Sequence, residues 1–203
     1  MIKGKQFRLI IFPLLALIFF LLVASANRHV FNNENAVMYK YLQSVRKGHI
    51  GYGFNSYYGN YISFAGLESG DLILGGYPGC SYGRFSHAGI YIGNGEVMES
   101  FGDLGVNIQP INHYWEYSDV CLLRVKANPT VKKQAVKYVR RHQGAMFYPL
   151  AFKAGDRYWN CTKIMWKAYR EQGFDFDPGN DFWVAPDLFY QSNLVEVIRE
   201  RNV

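Results

Sequence analysis

Apolar and polar positions divide the chain into a leader and one patterned region. Every residue from Leu9 to Val23 is apolar, and the stretch through Ala26 is 18 residues long, the lower edge of what spans a bilayer. Lys3, Lys5 and Arg8 precede it, and Ala24-Ser25-Ala26 closes it with a small-residue cleavage signature. A cleaved signal peptide and a retained anchor both fit residues 1–26, and the Ala-x-Ala site tips the reading toward cleavage. Glu34 to Lys47 then carries Val37, Met38, Tyr41, Leu42 and Val45 at helical spacing. A loop rich in Gly, Tyr and Asn follows, from Gly48 to Asn60. Residues 27–64 thus form a helix and loop leading into a domain over 65–203.

In that domain the pattern predicts strands near 71–74, 86–92, 96–101 and 119–126. Asn128-Pro129-Thr130 opens a helix over Val131–His142. A second helix starts after Asn160, a good N-cap, and ends at Gly173. Runs of strands followed by helices give an α+β fold, an antiparallel sheet packed with helices. No internal repeat or low-complexity segment interrupts it.

Two places in this pattern carry chemistry. In the strand 86–92, Ala88, Ile90 and Ile92 face one way, and His87, Gly89 and Tyr91 the other. The next strand begins at Glu96 after Gly93-Asn94-Gly95. A three-residue loop pairs Ile92 with Glu96 and sets Glu99 opposite Gly89, diagonal to His87 on the same face. A two-residue loop flips that carboxylate to the other side. The second place is Cys161, whose successors Ile164, Met165, Ala168 and Tyr169 lie at spacings of 3, 4, 7 and 8. A thiol there either plugs the helix into the core or, in the first turn, meets the positive end of the helix dipole, which favours the nucleophilic thiolate. An upstream histidine with a carboxylate in reach favours the second reading.

Gly70-Asp71-Leu72-Ile73-Leu74, then Ser86-His87-Ala88-Gly89-Ile90-Tyr91-Ile92, then Asn160-Cys161-Thr162-Lys163-Ile164 together resemble the NlpC/P60-type cysteine hydrolases. The order His before Cys is similar to their circularly permuted branch, the YiiX/YaeF-like permuted papain-fold amidases, to which lecithin-retinol acyltransferases are related. The tail Trp183 to Ser192 resembles the same branch, and the likeness covers roughly residues 65–198. It implies a permuted papain-like arrangement with Cys161 as nucleophile, His87 as base and Glu99 orienting the imidazole. It also implies that Tyr148, in Gly144-Ala145-Met146-Phe147-Tyr148, lines the site with its hydroxyl. Thr162 stands where the family commonly has Ser, and Pro149 directly follows Tyr148. The implied reaction forms an acyl-enzyme on Cys161. Its substrate class is a cell-envelope peptide amide or an acyl lipid, with hydrolysis or acyl transfer as the outcome. A non-catalytic envelope-binding module of the same fold is the competing class.

Charge and cysteine usage add limits. The net charge is +6, and Lys132, Lys133, Lys137, Arg140 and Arg141 concentrate it on one helix. That face is either simply solvated or in contact with a membrane surface or anionic envelope polymer. Gly75–Gly83 lacks the Lys-Ser/Thr of a phosphate loop, and no feature calls for nucleic acid or a cofactor. Cys80, Cys121 and Cys161 form no zinc-spaced set. In an oxidising compartment Cys80 and Cys121 could pair and leave Cys161 free. Asp175, Asp177 and Asp181 lack the spacing of a calcium loop and read as a turn, so no metal is expected.

Overall fold

The computed structural model describes residues 4–179 and 181–203. Three helices come first: α1 (Gly4–Ala26), α2 (Arg28–Asn32) and α3 (Val37–Arg46). The strands are β1 (Leu72–Gly76), β2 (His87–Gly93), β3 (Glu96–Phe101), β4 (Gly105–Pro110), β5 (Asp119–Val125) and β6 (Val195–Asn202). They form one sheet in the order β4-β3-β2-β1-β5-β6, every neighbouring pair antiparallel. Between β5 and β6 lie α4 (Pro129–Arg141), α5 (Cys161–Arg170) and α6 (Pro186–Gln191). The chain is therefore α+β, as its pattern predicts.

β1 and β5 read as near-continuous apolar runs because both faces of the sheet are covered. Leu72, Leu74, Ala88, Ile90, Met98 and Leu123 pack against α4 and α5 through Val139, Ile164, Met165 and Ala168. Ile73, Val97, Val120 and Leu122 pack on the other face against Ile62, Tyr77, Ile111, Tyr114 and Tyr117. The loop after α3 helps to cover this second face. The Tyr58 and Asn60 amides donate to the Glu116 and Trp115 carbonyls, and the Phe54 amide to Pro78.

The helix expected over Glu34–Lys47 is shorter and buries no residue completely. The basic face of α4 is also interrupted. Lys132 is buried and ion-paired with Asp71 at 3.0 Å, and Arg124 holds the same carboxylate at 3.0 Å. A carboxylate excluded from water needs such partners. Lys133, Lys137, Arg140 and Arg141 remain exposed.

Candidate active site

β2 and β3 deliver the first two groups. Glu99 stands opposite Gly89, as the three-residue loop requires, yet the turn is built differently. Gly93 pairs with Glu96 across Asn94-Gly95, and the extra residue sits in β2 between Tyr91 and Gly93 as a bulge. Asn94 and Gly95 both have positive φ, 55° and 75°, as a tight two-residue hairpin turn demands. The bulge restores the parity that such a turn alone would break. Glu99 consequently shares a face with His87, and Glu99 Oε2 lies 2.9 Å from His87 Nε2. Both residues are out of water, at 1% and 3% exposure.

Other residues fix this pair. His113 Nε2 approaches the same carboxylate oxygen at 3.0 Å, and the Tyr114 hydroxyl donates to it at 3.4 Å. The Tyr117 ring stacks parallel to the His87 imidazole, and Phe101 meets the imidazole edge-on. Two glycines make room. A Cβ on Gly75 would lie 2.6 Å from the Tyr117 ring, and one on Gly89 would lie 2.6 Å from the Tyr114 hydroxyl.

Cys161 is the first residue of α5. The Asn160 side chain accepts from the Lys163 amide at 2.8 Å and caps the helix. The Thr162 hydroxyl donates to the Val184 carbonyl at 2.6 Å, which pins the same turn. First-turn N–H groups have no intrahelical acceptor, so this end can bind developing negative charge. Cys161 lies close enough to the His87 imidazole for its charge to help hold the ring protonated. With Nε2 committed to Glu99, Nδ1 is the nitrogen left for the sulfur. The three residues singled out in the sequence from separate segments thus meet at one place, the imidazole on the carboxylate and the thiol beside the imidazole.

The electrostatics follow. Burial works against charge on His87, but the Glu99 carboxylate and Cys161 outweigh it and raise the imidazole from 6.5 to about 10. Burial likewise opposes Glu99 ionisation, and His87 and His113 reverse this, lowering it from 4.5 to about 2. At neutral pH the pair is imidazolium and carboxylate. An imidazolium beside a thiol is the partner that stabilises a thiolate.

His113, Tyr114, Tyr117 and Tyr52 carry no sequence signal of this role. The first two lie in a short 3-10 turn, Ile111–Glu116, without amphipathic periodicity. Tyr52 comes from the loop after α3, far from the motifs. Its hydroxyl is 2.9 Å from that of Tyr117, and its ring lies against Phe101. Burial above all raises its pKa, with the charge of Cys161 among the further causes, so it stays a protonated donor.

Tyr148 has a different setting. It is 49% exposed, packs on Tyr158 and lines a surface cavity of about 600 Å³ with Leu150, Phe152 and Lys163. Its amide donates to the Trp159 carbonyl at 2.7 Å, which ties this loop to the start of α5. Cys80 and Cys121 are buried free thiols.

The family model described as permuted papain-like amidase enzyme, YaeF/YiiX, C92 family, matches residues 67–180. The chain belongs to this family. The matched span contains His87, Glu99, Tyr148 and Cys161 and leaves out Tyr52 and α1 to α3. Among solved structures, the crystal structure of the metalloprotein yiiX from Escherichia coli O157:H7 is similar, with a TM-score of 0.54 and 15% identity. The match covers 65% of this chain and 96% of that one. At this identity the likeness speaks for the shared permuted papain-like fold. No curated protein matches the chain. Although that neighbour is described as a metalloprotein, no group of three or more His, Cys, Asp or Glu side chains among the described residues here is arranged to hold a metal ion.

Proposed function

We propose that this chain is a membrane-anchored thiol hydrolase of the amidase type, acting on a cell-envelope peptide or an acyl lipid through Cys161, His87 and Glu99. The observation that carries the reading is the buried His87 imidazole held on the Glu99 carboxylate at 2.9 Å, with a thiol at a helix start close enough to add to its charge. With the thiol proton on His87, the Cys161 thiolate attacks the substrate carbonyl carbon; an S–C bond forms as the C=O π electrons move onto the oxygen. The oxyanion is held by the free N–H groups of the first turn of α5, with the Tyr52 hydroxyl as a second donor. The His87 imidazolium passes its proton to the leaving nitrogen or oxygen, and that bond breaks. Neutral His87 then takes a proton from water, which attacks the thioester, and the acid departs as the S–C bond breaks. Glu99 orients the ring and balances its charge throughout.

Export and anchoring are part of the proposal. The window Leu9–Ala26 is apolar and no residue of it is buried. The helix runs through Ala24-Ser25-Ala26 without a break, and both Asn27 N–H donors return to the Val23 carbonyl. α1 is retained in this proposal, against the cleavage that the Ala-x-Ala pattern suggests.

The test is a panel of envelope peptides and acyl lipids, run with the wild type and Cys161→Ala. The reading predicts turnover of at least one class by the wild type and none by the variant, with the same thermal melt for both. Turnover by Cys161→Ala of any substrate that the wild type cleaves contradicts it.

A further inference from the structure

Leu150, Phe152 and Phe182 are large apolar side chains at 57%, 52% and 40% exposure, and with Trp183 they form one patch. Ring centroids are 6.2 Å apart for Phe152 and Phe182, 5.2 Å for Phe152 and Trp183, and 5.7 Å for Phe182 and Trp183. The Trp183 indole N–H donates to the Leu150 carbonyl at 3.3 Å, joining the two loops involved. Contiguous exposed apolar surface of this kind marks an interaction site. Its position indicates with what.

The membrane-length helix ends against this patch. His29, three residues past Ala26, packs its ring on Phe182 at 6.4 Å. At 1.5 Å per residue that is about 5 Å beyond the end of the apolar window. Val30 and Ala36 are buried, and the Val37 amide donates to Asp181 Oδ2 at 2.8 Å, so the junction is docked rather than free. Exposed Arg157 lines one cavity with Leu150 and Phe152, a charge complement to anionic headgroups. Aromatic side chains with an apolar body and a polar edge concentrate at bilayer interfaces.

We infer that Leu150, Phe152, Phe182 and Trp183 insert into the interface of the bilayer that α1 crosses, as a second membrane contact of the catalytic domain. This rests on the anchored reading above and changes the expected contact surface from the basic face of α4 to the aromatic patch. The consequence for the site is geometric. The Asn160 side-chain amide, which caps the Cys161 helix, donates to the Pro149 carbonyl at 3.1 Å. The inserted loop is therefore joined to the nucleophile's own turn.

The test uses the full chain reconstituted into phosphatidylethanolamine/phosphatidylglycerol vesicles with brominated acyl chains, and reads tryptophan emission. α1 contains no Trp, Trp159 and Trp166 are buried, and Trp115 stacks on Phe64. Trp115 and Trp183 are both half-buried, so the share of quenching that Trp183→Phe removes is the share that reports Trp183. The expected result is clear quenching of the wild type, most of it lost in Trp183→Phe and at least halved in Phe152→Ser/Phe182→Ser. Equal quenching of wild type and Trp183→Phe, in vesicles that retain the chain after an alkaline wash, overturns the inference. So does a patch covered by a second copy, read as cross-linked dimers without quenching. Loss of the chain in the wash removes the anchored reading and the inference with it. Trp183→Phe alone decides the matter if the double variant does not fold. No arm reads activity, so a failure here is separate from a failure of the hydrolase reading.

Discussion

Replacing Glu99 by Gln removes one negative charge from between two imidazoles and leaves the side chain nearly the same shape. In the wild type that charge, with Cys161, lifts buried His87 from 6.5 to about 10. A lift of that size is worth on the order of a few kcal/mol of preference for the cation. In Glu99→Gln the desolvation of a fully buried ring is left largely unopposed, so His87 titrates several units lower. The leaving group is protonated by the imidazolium, so the alkaline limb of the kcat/KM profile follows His87. It should lie near pH 10 in the wild type and below neutrality in Glu99→Gln. Turnover at neutral pH should fall by up to about ten-thousandfold in Glu99→Ala, the scale of losing an orienting acid, and by less in Glu99→Gln, whose amide oxygen still accepts the imidazole N–H. Stability moves with the same charges. The raised His87 contributes stability that is complete below pH 6.5 and lost as pH rises toward about 10. The lowered Glu99 contributes stability present above pH 4.5 and lost as pH falls toward about 2. Thermal melts across pH should therefore show a broad maximum that flattens in Glu99→Gln. An unchanged alkaline limb in Glu99→Gln would refute the assignment of Glu99 as the partner of His87.

Three further predictions follow from single observations. Tyr52→Phe keeps the ring against Phe101 but removes the hydroxyl proposed as second oxyanion donor, so kcat should fall about a hundredfold or more with KM little changed; a change in KM alone contradicts a transition-state role. Gly89→Ala puts a methyl 2.5 Å from Val97 and 2.6 Å from the Tyr114 hydroxyl, and a thermal melt should report about 1–3 kcal/mol of lost stability. Intact mass of protein from a native-like exporting host should begin at Met1; an Asn27 start contradicts the anchored reading.

The strands and helices that bear the site were legible because their patterns are strong. Ala88, Ile90 and Ile92 alternate with His87, and Asn160 caps a helix with clear 3.6-residue spacing. The Gly89–Glu99 pairing also followed from parity, although the parity is kept by a bulge at Ile92 rather than by a longer turn. β4 and β6 were not legible. β6 lies at a sheet edge, mostly exposed and rich in Glu and Arg, and such charged edges block further pairing while erasing the apolar alternation. The second layer around Glu99 was equally silent. His113 and Tyr114 reach the carboxylate from a 3-10 turn, and Tyr52 reaches Tyr117 from a loop over the sheet, so neither spacing nor period connects them to the site. Tyr148 was placed by a motif alone, and it packs on Tyr158 at the surface cavity beside Leu150 and Phe152.

The central claim is that Cys161 is an activated thiol held by His87 and Glu99. The most direct measurement is the rate of alkylation by iodoacetamide at each cysteine, mapped by peptide mass in wild type, His87→Ala and Glu99→Gln. The account predicts that Cys161 is alkylated many times faster than buried Cys80 and Cys121, and faster than a free cysteine at pH 6, with the excess lost in both variants. Alkylation of Cys161 no faster than a free cysteine, or at the same rate in all three proteins, would contradict it.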